Sequence, residues 1–563
     1  MNLLHRLIGS SVLATALLSG ALALSGCSLL IETETCQSNA DCNGGTCSAD
    51  NICVDDDAAL CSEEQPCPEG QLCDEAGQCV STEGLLAPPC ELSSGNITAD
   101  NAFNLGVLLP LSGPEEGFGR PLLDAIRLAQ SDFNGIGGVL NRPVGLIICD
   151  TQGLDDEALA GARHLVEEAG VEAIIGPDYS SQTIDIATSL TIDNEVVLIS
   201  PSATAATISG LSDNDLVWRT SASDVIQGIA LGELLTFMLN DVVEAEAPKL
   251  ALLTRRDDTY ADGLQSALIA QLPAEITGGD DTRFAPYNYA NASAGQTGDD
   301  YFDTVGDVIA DAASSGEPDV VVILGSSEAW EIAEALDEGL EGAPLYVFVD
   351  AARNTDQAEA APESLQGRIW GTAPQNIGAA DYAPYISFRL KYLSEYNRDP
   401  NDFQFVANAF DALYVVALGA AAEGFTGPQI AEGMKRLSSG NTVDPGQSQA
   451  QNAINTLRGG GSINFRGASG PLNFDDNGDP QASPIALWCF DSNRLPESGV
   501  ILNEMLEFVP QRCGEEPFDD DPVDEGDASA DVGPDAELDA DPDVADDDAV
   551  IEPSDTELSR DTD

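Results

Sequence analysis

From residue 100 to residue 512, short apolar runs rich in Val, Ile and Leu alternate with longer segments whose apolar positions recur at helical spacing. Hairpins join strands through a few residues. A helix-length insert instead forces a parallel, right-handed crossover, and a parallel sheet must be covered on both faces. The runs 105–109, 144–149, 171–175 and 195–200 read as strands, with helices at 121–133, 156–168 and 181–190. After a break near 221–224 the alternation restarts, with strands at 250–253, 319–324 and 345–349 and helices at 260–272 and 328–340. The fold class predicted is α/β, with two lobes that are each a doubly wound parallel sheet. Lobe 1 is expected at about 100–222 and 375–465 and lobe 2 at about 225–372 and 468–500, within a globular region spanning 91–513. Ligands of such sheets sit beyond the carboxyl ends of the strands, so two facing lobes enclose a cleft between those ends.

The flanking segments obey different rules. Arg6 precedes an apolar stretch from 7 to 24 that ends in Leu24-Ser25-Gly26-Cys27. A basic start, an apolar core, two small residues and then a thiol are the pattern of an exported lipoprotein precursor. No basic stop-transfer flank follows the short apolar run. Residues 1–26 are therefore expected to be removed as a signal peptide, leaving Cys27 as the lipid anchor in a membrane. Ser28, where an Asp would favour inner-membrane retention, points to the outer membrane.

Residues 27–90 are cysteine-dense. Cys36, Cys42, Cys47 and Cys53 are followed at nearly the same spacing by Cys61, Cys67, Cys73 and Cys79, one unit of about 25 residues used twice. So small a unit buries too little apolar surface to fold unaided, and two disulfides per unit in an oxidising compartment supply the rest. A zinc site would need C-x2-C pairs or a nearby His, which the segment lacks, so no metal is expected. Spacing leaves the pairing within each unit open. The segment reads as a stiff stalk, with a protein-binding module as the alternative. Four further cysteines predict two more disulfides. Cys489 with Cys513 would pin the C-terminal extension to the body, and Cys90 with Cys149 would fix the stalk exit. Residues 514–563 are nearly all Asp, Glu, Ala, Pro, Gly and Val, a composition that predicts a disordered acidic tail.

Charge excludes some partners. With 97 acidic against 22 basic residues the formal net charge is −75, the wrong sign for nucleic acid and for a polybasic membrane-surface role. An enzyme reading has little to stand on. His164 is the sole imidazole once His5 leaves with the signal, and no phosphate-binding loop, nucleophile elbow or H-E-x-x-H motif occurs. We therefore expect a non-enzyme without a cofactor.

Several motifs carry a family resemblance. Gly106-Val107-Leu108-Leu109-Pro110-Leu111-Ser112-Gly113-Pro114 is followed by Asp132-Phe133-Asn134-Gly135-Ile136-Gly137-Gly138-Val139, Ile175-Gly176-Pro177 and Ser200-Pro201-Ser202-Ala203-Thr204. Then come Trp218-Arg219-Thr220, Phe410-Asp411-Ala412 and Gly470-Pro471-Leu472-Asn473-Phe474-Asp475-Asp476-Asn477-Gly478-Asp479. In this order, across about 400 residues, they resemble the bacterial leucine/isoleucine/valine-binding proteins. These are type I periplasmic binding proteins of amino-acid ABC transporters, related in fold to receptor ligand-binding regions. The resemblance implies two lobes joined by three crossovers that close over a small ligand, with an ABC permease as partner. The other function class is a surface receptor that senses a ligand or docks a protein without transport.

An amino acid is a zwitterion, and its site needs donors for a carboxylate and acceptors for an ammonium. Ser180 and Ser181 follow one lobe 1 strand and Ser202 and Thr204 the next, where hydroxyls and backbone N–H groups suit a carboxylate. Capping and turn formation are their plain alternatives. The resemblance places Ser180, Ser202 and Thr204 on the family's carboxylate binders, Asp350 on its acidic partner for the ammonium, Tyr260 on its cleft tyrosine, and Phe118 on the aromatic covering the ligand side chain. The chain departs from the pattern at Ser327, where branched-chain binders carry an aromatic, and at Tyr179, where they carry a disulfide cysteine. Arg255-Arg256-Asp257-Asp258 fits either a second ligand carboxylate or a self-paired solvated loop. Asp475-Asp476-Asn477-Gly478-Asp479 has calcium-loop character, but Asn-Gly between strand-like runs reads first as a hairpin turn.

Overall fold

Strands buried on both faces need continuous apolar runs, and the two central sheets are built from them; Leu250–Arg255 and Val320–Leu324, for example, are buried at every position. The computed structural model describes residues 77–513 apart from 278–282, 291–299, 375–381, 482, 493–494, 496 and 504, together with 45–47, 53–55, 61, 67 and 70–73. Cys27, Cys36, Cys42 and the tail 514–563 lie outside the described residues.

Lobe 1 is a six-stranded sheet in the order Val217–Arg219, Val197–Ser200, Ala173–Ile175, Phe103–Leu109, Val144–Asp150, Leu92–Ser94. All neighbours are parallel except Leu92–Ser94, an edge strand antiparallel to Val144–Asp150. Lobe 2 is a seven-stranded sheet ordered Phe284–Tyr289, Leu250–Arg255, Val320–Leu324, Leu345–Phe348, Ile369–Pro374, Ile485–Cys489, Glu497–Leu502, and its last two strands are antiparallel additions. The chain passes between the lobes after Arg219, after Pro374 and after Pro480. Helix Val406–Glu423 is apolar and long enough to cross a membrane, yet it is buried continuously from Val406 to Ala421 as the centre of the lobe 1 core.

Three expectations need correction. Residues 468–480 belong to lobe 1, not lobe 2, because Ala468, Leu472 and Phe474 are part of its core and the Trp218 and Phe474 rings meet edge-on at 5.1 Å. The first helix starts at Glu116, well before 121, with Pro121 inside it. Gly119 makes that early start possible, since a Cβ there would lie 1.9 Å from the Pro110 carbonyl oxygen. The second cysteine unit is no free spacer either, because Leu72 of its hairpin packs against the lobe 1 core.

That unit holds Cys61–Cys73 and Cys67–Cys79 disulfides, and Cys73 faces Cys79 across its hairpin as Cys47 faces Cys53 in the first unit. Cys90–Cys149 and Cys489–Cys513 are bonded as expected, with Cα separations of 3.8 Å and 5.6 Å. His164 is buried, its Nε2 3.0 Å from the Leu85 carbonyl oxygen, and helps seat the segment leaving the cysteine units.

Three family motifs have structural work. Arg219, wholly buried, donates Nε and Nη2 to Asp479 at 2.6 and 2.8 Å and Nη1 to the Ala205 carbonyl at 2.9 Å. Asp475 accepts from the backbone N–H of Asn477 and Asp479, and Gly478 has φ +75°, so the Asp-rich stretch is a turn clamped to the sheet edge. Asp411 likewise accepts from the N–H groups of Ala468 and Ser469.

Candidate functional site

Both sheets reverse their strand order beside the strand that opens each lobe. Phe103–Leu109 lies between Val144–Asp150 and Ala173–Ile175, and Leu250–Arg255 between Phe284–Tyr289 and Val320–Leu324. Loops leaving such neighbours diverge, and a crevice remains between them. The two crevices face one another across a cleft of about 120 Å³. Phe118, Ser180, Ser181, Ser202, Thr204, Tyr260 and Asp350 all line this one cleft, from both lobes.

Asp350 ends the loop after Leu345–Phe348 and is 2% exposed. Its Oδ1 accepts from the Tyr260 hydroxyl and from Gln227 Nε2, both at 2.7 Å. Burial raises its carboxyl above the ordinary range, while these two donors oppose the shift. Fully buried Asp224, at the start of helix Asp224–Phe237, is pushed well above the usual range by burial and then by the Asp350 charge, with the Thr204 hydroxyl opposing. Two adjacent buried carboxyls ionise together only at high cost. Of the two, Asp224 is pushed up further and holds a proton the more readily, and Asp350 is the carboxyl that lines the cleft.

The hydroxyls lie on the lobe 1 side. Gly176, at φ +103°, lets the chain pass so near Leu108 that a Cβ would lie 2.1 Å from its carbonyl oxygen, and this sharp exit aims 178–181 at the cleft. Ser180 Oγ accepts from the Ala205 N–H at 3.1 Å, and Ser202 Oγ donates to the Asp178 carbonyl at 3.0 Å. These bonds tie the two loops to each other. They are the loop-forming bonds of the plain alternative, whereas helix Ser180–Ile186 has no side-chain cap from Tyr179, the residue before it.

The Arg255-Arg256-Asp257-Asp258 stretch divides between the two readings. Arg255 is 7% exposed and lines the cleft, but its guanidinium is already engaged. Nε donates to Asp258 at 2.7 Å, and Nη1 donates to Ser326 Oγ at 2.9 Å and Glu328 at 3.2 Å. Asp258 also accepts from the N–H groups of Tyr260 and Ala261, which starts helix Thr259–Gln271 and sets Tyr260 toward Asp350. Arg256 and Asp257 are exposed.

Sequence reading missed several cleft residues. Glu115 and Asp178 line it from lobe 1, Ser326 from lobe 2, and Gln227 supports Asp350 from below. Ser327, expected only as a missing aromatic, opposes the upward shift that burial gives the Glu115 carboxyl. Phe405 is 2% exposed at φ +63° and meets the Phe118 ring edge-on at 6.4 Å. A bulky residue in that left-handed conformation costs energy and is kept where a surrounding site over-determines it. Of these, only Gln227, three residues past the 221–224 break, carried a positional hint.

Two α/β lobes joined by three crossovers, with a mixed polar and aromatic cleft between their strand ends, define a two-lobed solute-binding protein. Residues 102–456 match the periplasmic binding protein family, and the chain belongs to it. Over 174 residues it is 26% identical to the Leu/Ile/Val-binding protein BraC3 of Rhizobium johnstonii, a match covering 31% of this chain and 44% of that protein. The chain thus spans less than half the length of this curated relative. Its fold is similar to that of the leucine-binding protein LivK of Thermotoga maritima, with TM-score 0.57, 22% identity and coverage of 71% of this chain and 98% of LivK. It is also similar to LivJ of Streptococcus pneumoniae in complex with isoleucine, with TM-score 0.56, 18% identity and coverage of 71% and 99%.

Proposed function

We propose that this chain is a lipoprotein, anchored through Cys27 to the outer membrane, that captures an amino acid or similar small carboxylate-bearing ligand between its lobes for uptake by an ABC permease. Asp350, held by Tyr260 and Gln227, accepts the ligand ammonium. Ser180, Ser181, Ser202 and Thr204 receive the carboxylate, Ser202 by turning toward the ligand the O–H it gives the Asp178 carbonyl, and Phe118 covers the side chain. The observation that carries this reading is one cleft holding a buried carboxyl acceptor on lobe 2 and a bank of hydroxyls on lobe 1, because a zwitterion spanning them links the lobes. The relatives' names, Leu/Ile/Val-binding and leucine-binding, agree with an amino acid.

A thermal-shift screen against amino acids tests it, since a ligand at 100 times its Kd adds about 2.7 kcal/mol of stability. Small-angle scattering with a stabilising ligand should then give a smaller radius of gyration. No stabilisation by any amino acid, or binding without compaction, would overturn the reading.

A further inference from the structure

Of the carboxyls that line the cleft besides Asp350, two stand out. Asp178, at the lobe 1 crevice, is 3% exposed and lines the cleft, and its two carboxyl oxygens, sealed from solvent in this structure, accept no hydrogen bond from another residue among those described. Half-buried Glu115 faces it from the neighbouring loop. Both belong to a different neighbourhood from Asp350. Glu115 acts on Asp178, Arg255 and Glu328, while the side chains that hold Asp350 are Tyr260 and Gln227. Arg255, the one cation lining the cleft among the described residues, is committed to Asp258, Glu328 and Ser326.

A buried carboxylate without partner or counter-ion is strongly disfavoured. Beside a neutral or apolar ligand side chain Asp178 either stays in that state or takes up a proton. A cationic one would supply the missing donor and relieve the repulsion from Glu115 at once. The surroundings suit a cation too, with the rings of Phe118, Tyr179 and Phe405 on the same cleft wall. We infer that Asp178 and Glu115 form a second, cation-recognising subsite, and that the ligand is an α-amino acid whose side chain carries an ammonium or guanidinium group. This inference rests on the amino-acid reading proposed above and narrows it.

Calorimetry on the full mature chain with L-lysine, L-arginine and L-norleucine tests it, norleucine having the lysine skeleton without the side-chain ammonium. At about pH 8, with the cleft carboxylates ionised, at least one of L-lysine and L-arginine should bind about thirtyfold or more tightly than L-norleucine. Asp178→Asn and Glu115→Gln should each cut that ratio by about tenfold or more. Asp178→Asn removes an unpartnered buried charge, so it should melt no lower than the parent, and the half-exposed Glu115 provides a second, milder variant. Norleucine binding as tightly as both basic amino acids, or a ratio unmoved by both substitutions, overturns the cationic subsite and leaves the amino-acid reading standing. If no α-amino acid binds, both fall. Calcium chloride that binds alone, competes with L-lysine and is lost in Asp178→Asn would make the subsite a metal site and overturn the inference.

Discussion

Replacing Asp350 with Asn separates the charge of this side chain from its shape. The amide keeps an oxygen where Tyr260 and Gln227 donate at 2.7 Å, so the loop after Leu345–Phe348 should hold its place. Only the negative charge is lost. Truncating one member of a buried, hydrogen-bonded charge pair costs about 2 to 5 kcal/mol of binding, and a 2% exposed acceptor belongs in that class. Taking about 3 kcal/mol, the variant binds about 150-fold more weakly. A ligand concentration of about 100 times the parent Kd then stabilises the parent by about 2.7 kcal/mol and the variant by about 0.3 kcal/mol. The ligand-free proteins should differ in the opposite sense. The Asp350 carboxyl is raised by burial, so the native state binds its proton more tightly than the unfolded chain, and its contribution to stability falls as pH rises. Ligand-free Asp350→Asn should thus be at least as stable as the parent at about pH 8 and lose that advantage in acid. Urea titrations with and without a ligand established on the parent measure both quantities. Equal ligand stabilisation in the two proteins would remove Asp350 from the site, and a ligand-free variant much weaker than the parent would show that the charge is structural.

Asp479→Ala should cost about 3 to 5 kcal/mol in a denaturant titration, because it strands the fully buried Arg219 guanidinium; a loss below about 1 kcal/mol would mean the clamp is dispensable. Burial, with Glu115 adding to it, pushes the Asp178 carboxyl up to about 7. The native state then holds more protons than the unfolded chain between about pH 4 and 7, and ligand-free stability loses this contribution as pH rises through that window. Asp178→Asn should accordingly lose less stability than the parent between about pH 5 and pH 8, and parallel pH profiles would refute the assignment. With a formal net charge of −75, the chain should unfold at a higher denaturant concentration in about 1 M salt than at low ionic strength, through screening of self-repulsion; uncharged urea is the denaturant to use, and equal midpoints would show that self-repulsion does not limit stability.

What the sequence by itself determined follows from local physics. Apolar runs buried on both faces, set apart by helix-length inserts, admit little besides parallel sheets, and a cleft at the strand ends follows from that topology. Ser180, Ser202 and Thr204 were legible because each stands just after such a run, whereas Tyr260 and Asp350 were legible through the family resemblance. Tertiary structure alone decided which carboxyls count. Among 97 acidic residues, nothing local distinguishes Asp178, stranded in the cleft, or Asp224, which holds a proton more readily than Asp350 beside it, from a solvated aspartate. Burial is a property of all the elements that pack around a group. The Asp479 end of the Asp-rich turn looked like half of a calcium loop until Arg219, 260 residues away, was found filling it. Likewise residues 468–480 went to lobe 1 through the Trp218–Phe474 contact, a pairing between distant segments that spacing along the chain does not encode.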